Sequence, residues 1–199
     1  MFVHLGAHLI QSDVVAHQLL QPGEAVYGAV VAQFGAEILN PDKSVDRARL
    51  AELAFGQPSR IQELNEIVHP AVIQRENNWM DGIARKDLHA IAIVEAALIL
   101  EARSHRRFDR LLVVTCRPEQ RIERWASKMK VDFDTARREV ERRMAAQLPD
   151  EDKIKAADYV IDNSGPLDLT RQRVIQVYER LQQEERVTNS RLASGGPNA

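Results

Sequence analysis

The chain has a single cysteine, Cys116, among its 199 residues. That excludes an intramolecular disulfide framework and a thiolate metal cluster. Aromatic residues make up only 5%, so the core must be built from aliphatic side chains. Neither sign of charge dominates: the formal net charge is -2, which gives no global pull towards nucleic acid. No apolar run is long enough to span a bilayer, and no basic segment followed by an apolar stretch opens the chain. His, Cys and carboxylate residues do not cluster at metal-ligand spacing, and no G-x-S-x-G stretch suggests an esterase. The expectation is a cytoplasmic protein with neither a nucleic-acid nor a membrane partner. Its oligomeric state is not written in the pattern.

What is present is globular: 44% hydrophobic and 28% charged residues. Four short apolar runs stand out, "AHLI" (7–10), "AIAIVEA" (90–96), "LLVVTC" (111–116) and "YVID" (159–162). The middle two lack polar alternation, as strands covered on both faces of a parallel sheet do. Helical patterns separate most of the runs, which predicts an α/β fold with a parallel sheet. About eighty residues lie between the first two runs, too many for one crossover helix. Helices are predicted there over Asp13–Leu20, Glu24–Phe34, Asp46–Phe55 and Pro58–Arg85, the last with a break near Pro70. Such an insertion, about 13–85, reads as a helical substrate-binding subdomain.

Beyond "LLVVTC", Pro118 suits a first helical position and Asp132 a helix cap. Two helices follow, carrying Arg121, Arg124, Lys128, Lys130, Arg137, Arg138, Arg142 and Arg143. The region about 117–148 therefore reads either as a cationic lid over a polyphosphate or as a solvated face balanced by glutamates such as Glu139. A last helix is predicted over Leu167–Gln183, with a disordered tail at 184–199. One domain, 1–183, accommodates all of this.

Chemistry concentrates at a few positions. Asp13 directly follows the first strand, where open α/β sheets bind ligands. It could accept a proton from a substrate hydroxyl or help hold Mg²⁺, or simply cap the next helix. In "ADYVIDNSG" (157–165), Asn163 ends a strand where a nucleotide base could be read; the alternative is an Asx-turn. His69 in "VHP" could contact substrate or serve packing. Cys116, Trp79 and Trp125 read as packing residues.

In order along the chain, these pieces resemble the dephospho-CoA kinase family. The carriers are the opening aspartate, A-H-x-L-L-x-P-G, F-G, D-R-x-x-L-x-x-x-x-F, "EIVHPAV", "EAALILEARSHRRFDRLLVV" and "RRMAAQLPDEDKIKAADYVIDNSG". The resemblance implies a P-loop kinase fold with a five-stranded parallel sheet, a helical CoA subdomain and a lid. It implies Mg²⁺-assisted transfer of the ATP γ-phosphate to the ribose 3′-hydroxyl of dephospho-CoA. By position, Asp13 matches the base, Arg47 and His69 the substrate-side helices, and Glu101 the glutamate of L-L-F-E. Lys128 stands where the lid has an arginine, Arg143 and Gln147 match the lid's R-x-x-x-Q, and Asn163 matches the adenine loop. The family's D-x-D is Gln11-Ser12-Asp13 here, and the proline of its P-L-L step is Ala97. Family members begin with a strand and G-x-x-x-x-G-K-[ST], which this sequence lacks. The expectation is that the chain starts inside the P-loop helix and has little activity as written. Alternatives are a non-catalytic binder of a CoA-like ligand and a kinase for another nucleotide-like acceptor.

Overall fold

The computed structural model describes residues 1–55 and 57–194. After a 3-10 turn, Phe2–Leu5, the chain runs β1 (His8–Gln11), α1 (Ser12–Leu19), α2 (Ala25–Phe34), α3 (Arg47–Phe55), α4 (Pro58–Ala84), β2 (Ala92–Glu95), β3 (Leu112–Thr115), α5 (Pro118–Met129), α6 (Phe133–Ala145), α7 (Asp150–Ala156), β4 (Tyr159–Asp162) and α8 (Leu167–Ser194). All four apolar runs are strands. Gly6, which follows the 3-10 turn, has φ of 107°, a conformation open to glycine and strained for other residues.

The strands form two separate parallel pairs. In one, His8, Leu9, Ile10 and Gln11 lie opposite Ala92, Ile93, Val94 and Glu95. In the other, Leu112 to Thr115 lie opposite Tyr159 to Asp162. Both pairs are parallel, as expected of a kinase-type sheet without its first strand. Of the two runs expected to be covered on both faces, β2 is half-buried from Ala92 to Val94, while β3 leaves Val114 exposed.

The chain divides into two compact units, Gly6–Ala96 and Met1–Leu5 with the residues from Ala97 onward. The first is wider than the helical subdomain read from the sequence, since β1 and β2 bracket the helices. Its core joins Val15 and Leu19 of α1, Val26, Val30 and Phe34 of α2, Leu50 and Ala54 of α3, and Val68 and Val72 of α4. The helix α4 passes through Pro70 without ending. Pro70 cannot donate to the Glu66 carbonyl, a loss of roughly 3 kcal/mol in an isolated helix. The buried valines on either side of it, Val68 and Val72, hold the helix in the core and offset that loss.

The second unit has two cores. Ile161, Val174 and Val177 pack with Phe2, Leu5, Leu112, Tyr159 and Leu181 beneath β4 and α8. Ile122, Ala136 and Val140 join α5 to α6, with Trp125 and Met144 beside them. Asp132 caps α6 as predicted, accepting from Thr135 N at 2.8 Å. α8 runs beyond the helix read from the sequence, from Leu167 to Ser194. Glu184 is fastened there, accepting from Tyr159 Oη at 2.6 Å and from Arg110 Nε at 2.8 Å, so the polar composition does not end the helix. Residues 195–199 lie outside the described residues.

Candidate active site

In the Gly6–Ala96 unit, the parallel register brings Gln11 and Glu95 side by side at the carboxyl ends of β1 and β2. Gln11 Nε2 donates to Glu95 Oε2 at 2.9 Å. Asp13 stands in the first turn of α1, one residue past its start. It does not cap the helix: Gln11 holds the cap position and no side-chain cap bond is made. The Asp13 carboxylate is exposed and makes no hydrogen bond or ion pair among the described residues. The capping alternative is thereby removed.

One turn on, His17 lies in the same electrostatic neighbourhood. Burial, then the Arg47 guanidinium, lower its imidazole pKa below the ordinary value, and Asp13 works in the opposite direction. Arg47 owes its place to the turn that precedes it. Asp42 Oδ1 accepts from Ser44 N and Ser44 Oγ, closing "NPDKS". Asp46 then accepts from Ala48 N and Arg49 N, starting α3 at Arg47. Arg47 is exposed and makes no ion pair among the described residues. His69 is likewise exposed on α4, without a hydrogen-bond partner there, so the packing alternative for it does not hold.

The second unit carries the remaining positions. Backbone and side-chain bonds lock the β4–α8 loop to the start of α5. Asn163 N donates to Thr115 O at 2.8 Å, Arg117 N to Ser164 Oγ at 3.1 Å, Gln120 Nε2 to Ser164 O at 2.9 Å and Arg124 Nη2 to Asn163 O at 2.9 Å. Asp162 Oδ1 accepts from Ser164 N at 2.8 Å, so the Asx-turn is formed. Asn163 Oδ1 accepts from the buried Thr170 hydroxyl at 3.0 Å. That fixes the amide with its Nδ2 donors uncommitted, and the turn and the recognition role are compatible.

Of the basic residues on α5 and α6, Lys128 is exposed without an ion pair among the described residues. Arg143 is engaged: it pairs with Glu139 at 2.7 Å and lies 6.0 Å from the Trp125 ring centroid. Arg142 reaches the same carboxylate at 2.8 Å. Together they hold the Glu139 carboxyl at about 2, against an ordinary 4.5. A carboxyl lowered on folding stabilises above its ordinary pKa, and that gain is lost as pH falls from 4.5 towards 2. Glu139→Gln is therefore expected to melt below wild type at pH 7, with the gap closing as the pH is lowered to about 2. The effect is small, since the arginines are exposed.

Glu101 and Gln147 come together, although far apart in sequence. Glu101 Oε1 accepts from Leu148 N at 2.7 Å and lies 3.8 Å from Lys153 Nζ. The same ammonium donates to Gln147 Oε1 at 2.5 Å. Arg121 of α5 pairs with Asp150 at the start of α7. These bonds fasten the chain where it leaves α6. Lys153 and the contacts of Gln120 and Arg124 were not foreseen, since they join residues far apart in sequence. His17 was legible, one helical turn from Asp13 on one face.

Among the described residues, no group of three or more His, Cys, Asp or Glu is placed to hold a metal, and no helix is long and apolar enough to cross a membrane. Parallel strands alternating with helices make this an α/β fold. The sequence model of one family, dephospho-CoA kinase, matches residues 1–168. Dephospho-CoA kinase of Aquifex aeolicus is 36% identical, over 91% of this chain and 88% of its own. That of Geobacter metallireducens is 33% identical, over 92% and 89%. A crystal structure from Thermus thermophilus superposes with a TM-score of 0.72 at 25% identity, covering 90% of this chain and 87% of that one. Dephospho-CoA kinase from Campylobacter jejuni shares the fold, with a TM-score of 0.63 at 22% identity over 92% and 88%. The chain belongs to the dephospho-CoA kinase family.

Proposed function

We propose that these residues serve transfer of the ATP γ-phosphate to the 3′-hydroxyl of the dephospho-CoA ribose. The observation that carries this reading is the uncommitted Asp13 carboxylate at the end of a parallel strand. In the step, the 3′-oxygen bonds to the γ-phosphorus and the bond from that phosphorus to the bridging oxygen breaks. The hydroxyl proton passes to Asp13, and ADP leaves. Arg47 offers an uncommitted cation to the acceptor's diphosphate, with His69 as a further substrate-side contact. Asn163 Nδ2 is the donor for the adenine of ATP. Lys128 supplies charge to the phosphates as a point cation rather than a fork. Arg143 must leave Glu139 to join it, and Glu101 and Gln147 anchor the segment from which that movement starts.

Mg²⁺ suits the donor set. It keeps several waters and binds mainly through substrate phosphates, so one carboxylate would suffice, and Glu95 at the end of β2 would supply it. When bound, it neutralises charge on the transferring phosphoryl group.

The phosphate cradle of such kinases is built by G-x-x-x-x-G-K-[ST], which is not in this sequence. A second reading, a chain that binds a CoA-like ligand with little turnover, rests on the exposed Arg47 and His69 of the Gly6–Ala96 unit. The test is radiolabel transfer from γ-labelled ATP to dephospho-CoA, adenosine and nucleoside monophosphates. Two proteins are compared, the 199-residue chain and the same chain preceded by a family strand and P-loop. The extended protein is expected to phosphorylate dephospho-CoA at least about a hundredfold faster than the chain alone. Preference for another acceptor rejects the assignment, and no transfer by either protein leaves the binding reading.

A further inference from the structure

Positions 68, 72 and 76 of α4 form one stripe, separated by four residues each. The first two are buried valines; the third is Glu76, 3% exposed. A third apolar residue would pack there. A carboxylate placed there is costly unless it is held by hydrogen bonds. One of the bonds that hold it comes from the start of α1: Ser12 Oγ donates to Glu76 Oε1 at 2.6 Å. Ser12 is the first residue of α1 and the immediate neighbour of Asp13.

The start of α1 lacks the usual means of fixing itself. Gln11 sits at the cap position with φ of -109° and ψ of 117°, and its side chain makes no cap bond. That side chain is turned to Glu95 instead. The first turn of α1 is thus tied down from outside, by a buried acid on α4. A negative group at a helix amino end is also favoured by the helix dipole.

We infer that Glu76 is a positioning residue of the acceptor site: through Ser12 it fixes the first turn of α1 and so the place of the Asp13 carboxylate. Glu76 itself is buried and does not touch substrate. This rests on Asp13 being the group that meets the 3′-hydroxyl.

The experiment measures binding, not turnover, on the 199-residue chain. Calorimetry compares dephospho-CoA with its 3′-deoxy analogue, so the affinity ratio reports the contact between Asp13 and the hydroxyl. A hydrogen bond to a charged group makes that ratio about tenfold or more in wild type. Ser12→Ala is expected to bring it to within about twofold of unity, with affinity for the deoxy analogue unchanged. Ser12→Thr, which keeps the hydroxyl, retains the wild-type ratio. Glu76→Gln, a neutral acceptor of the same shape, gives an intermediate ratio. Melting curves and amide exchange in α2 and α3 separate these outcomes from unfolding, since a purely structural role would lower both affinities together. Asp13→Asn is measured alongside. A wild-type ratio near one, or one that Asp13→Asn leaves intact, overturns the role of Asp13 and this inference with it. A ratio lost in Asp13→Asn but kept in Ser12→Ala overturns the positioning role alone.

Discussion

Asp13→Asn, made in the P-loop-bearing form of the chain, is expected to slow phosphoryl transfer to dephospho-CoA by about 10²–10³-fold, while the KM for ATP stays within about twofold. The substitution keeps size and hydrogen-bonding reach and removes only the ability to take the proton. The effect should be large because the carboxylate is not committed elsewhere. It caps nothing, and it pairs with nothing among the described residues. Removing a residue with no structural bond should leave the melting temperature nearly unchanged. Wild-type turnover in the variant would remove Asp13 from the mechanism. A matching fall in melting temperature would mean that it holds the fold rather than the reaction.

Ile161→Ala is expected to destabilise the chain by about 2–5 kcal/mol, measured by denaturant unfolding followed through far-ultraviolet circular dichroism. Ile161 is 1% exposed and fills the space between β4 and α8 with Val174 and Val177. The loss reaches function as well, since Asn163 is two residues further on and its loop leaves from this strand. ATP affinity should fall more than dephospho-CoA affinity. Equal losses for both ligands, or a destabilisation under about 1 kcal/mol, would show that this small core does not support the adenine loop.

Most secondary structure was legible because it depends on local pattern. The four apolar runs became strands, and Pro118 and Asp132 began their helices. Two local signals misled, and in both packing outweighed them. Pro70 does not end α4, where buried valines flank it, and the polar stretch after Gln183 remains helical, with Glu184 held by Tyr159 and Arg110. The site residues were readable as types and positions, since an acid after a strand and arginines on successive helices are patterns along the chain. Their states were not. Asp13 turned out uncommitted and Arg143 engaged, while Asn163 is clamped through its carbonyl oxygens and open at Nδ2.

By itself the sequence determined the elements, the family and the order in which chemical groups follow one another, because periodicity, capping and motif spacing act over a few residues. Only the tertiary structure decided which groups have partners. The bonds between Ser12 and Glu76, Glu101 and Leu148, and Arg124 and Asn163 join positions 64, 47 and 39 residues apart. Such partners are chosen by how helices and strands pack, and no local pattern encodes that choice.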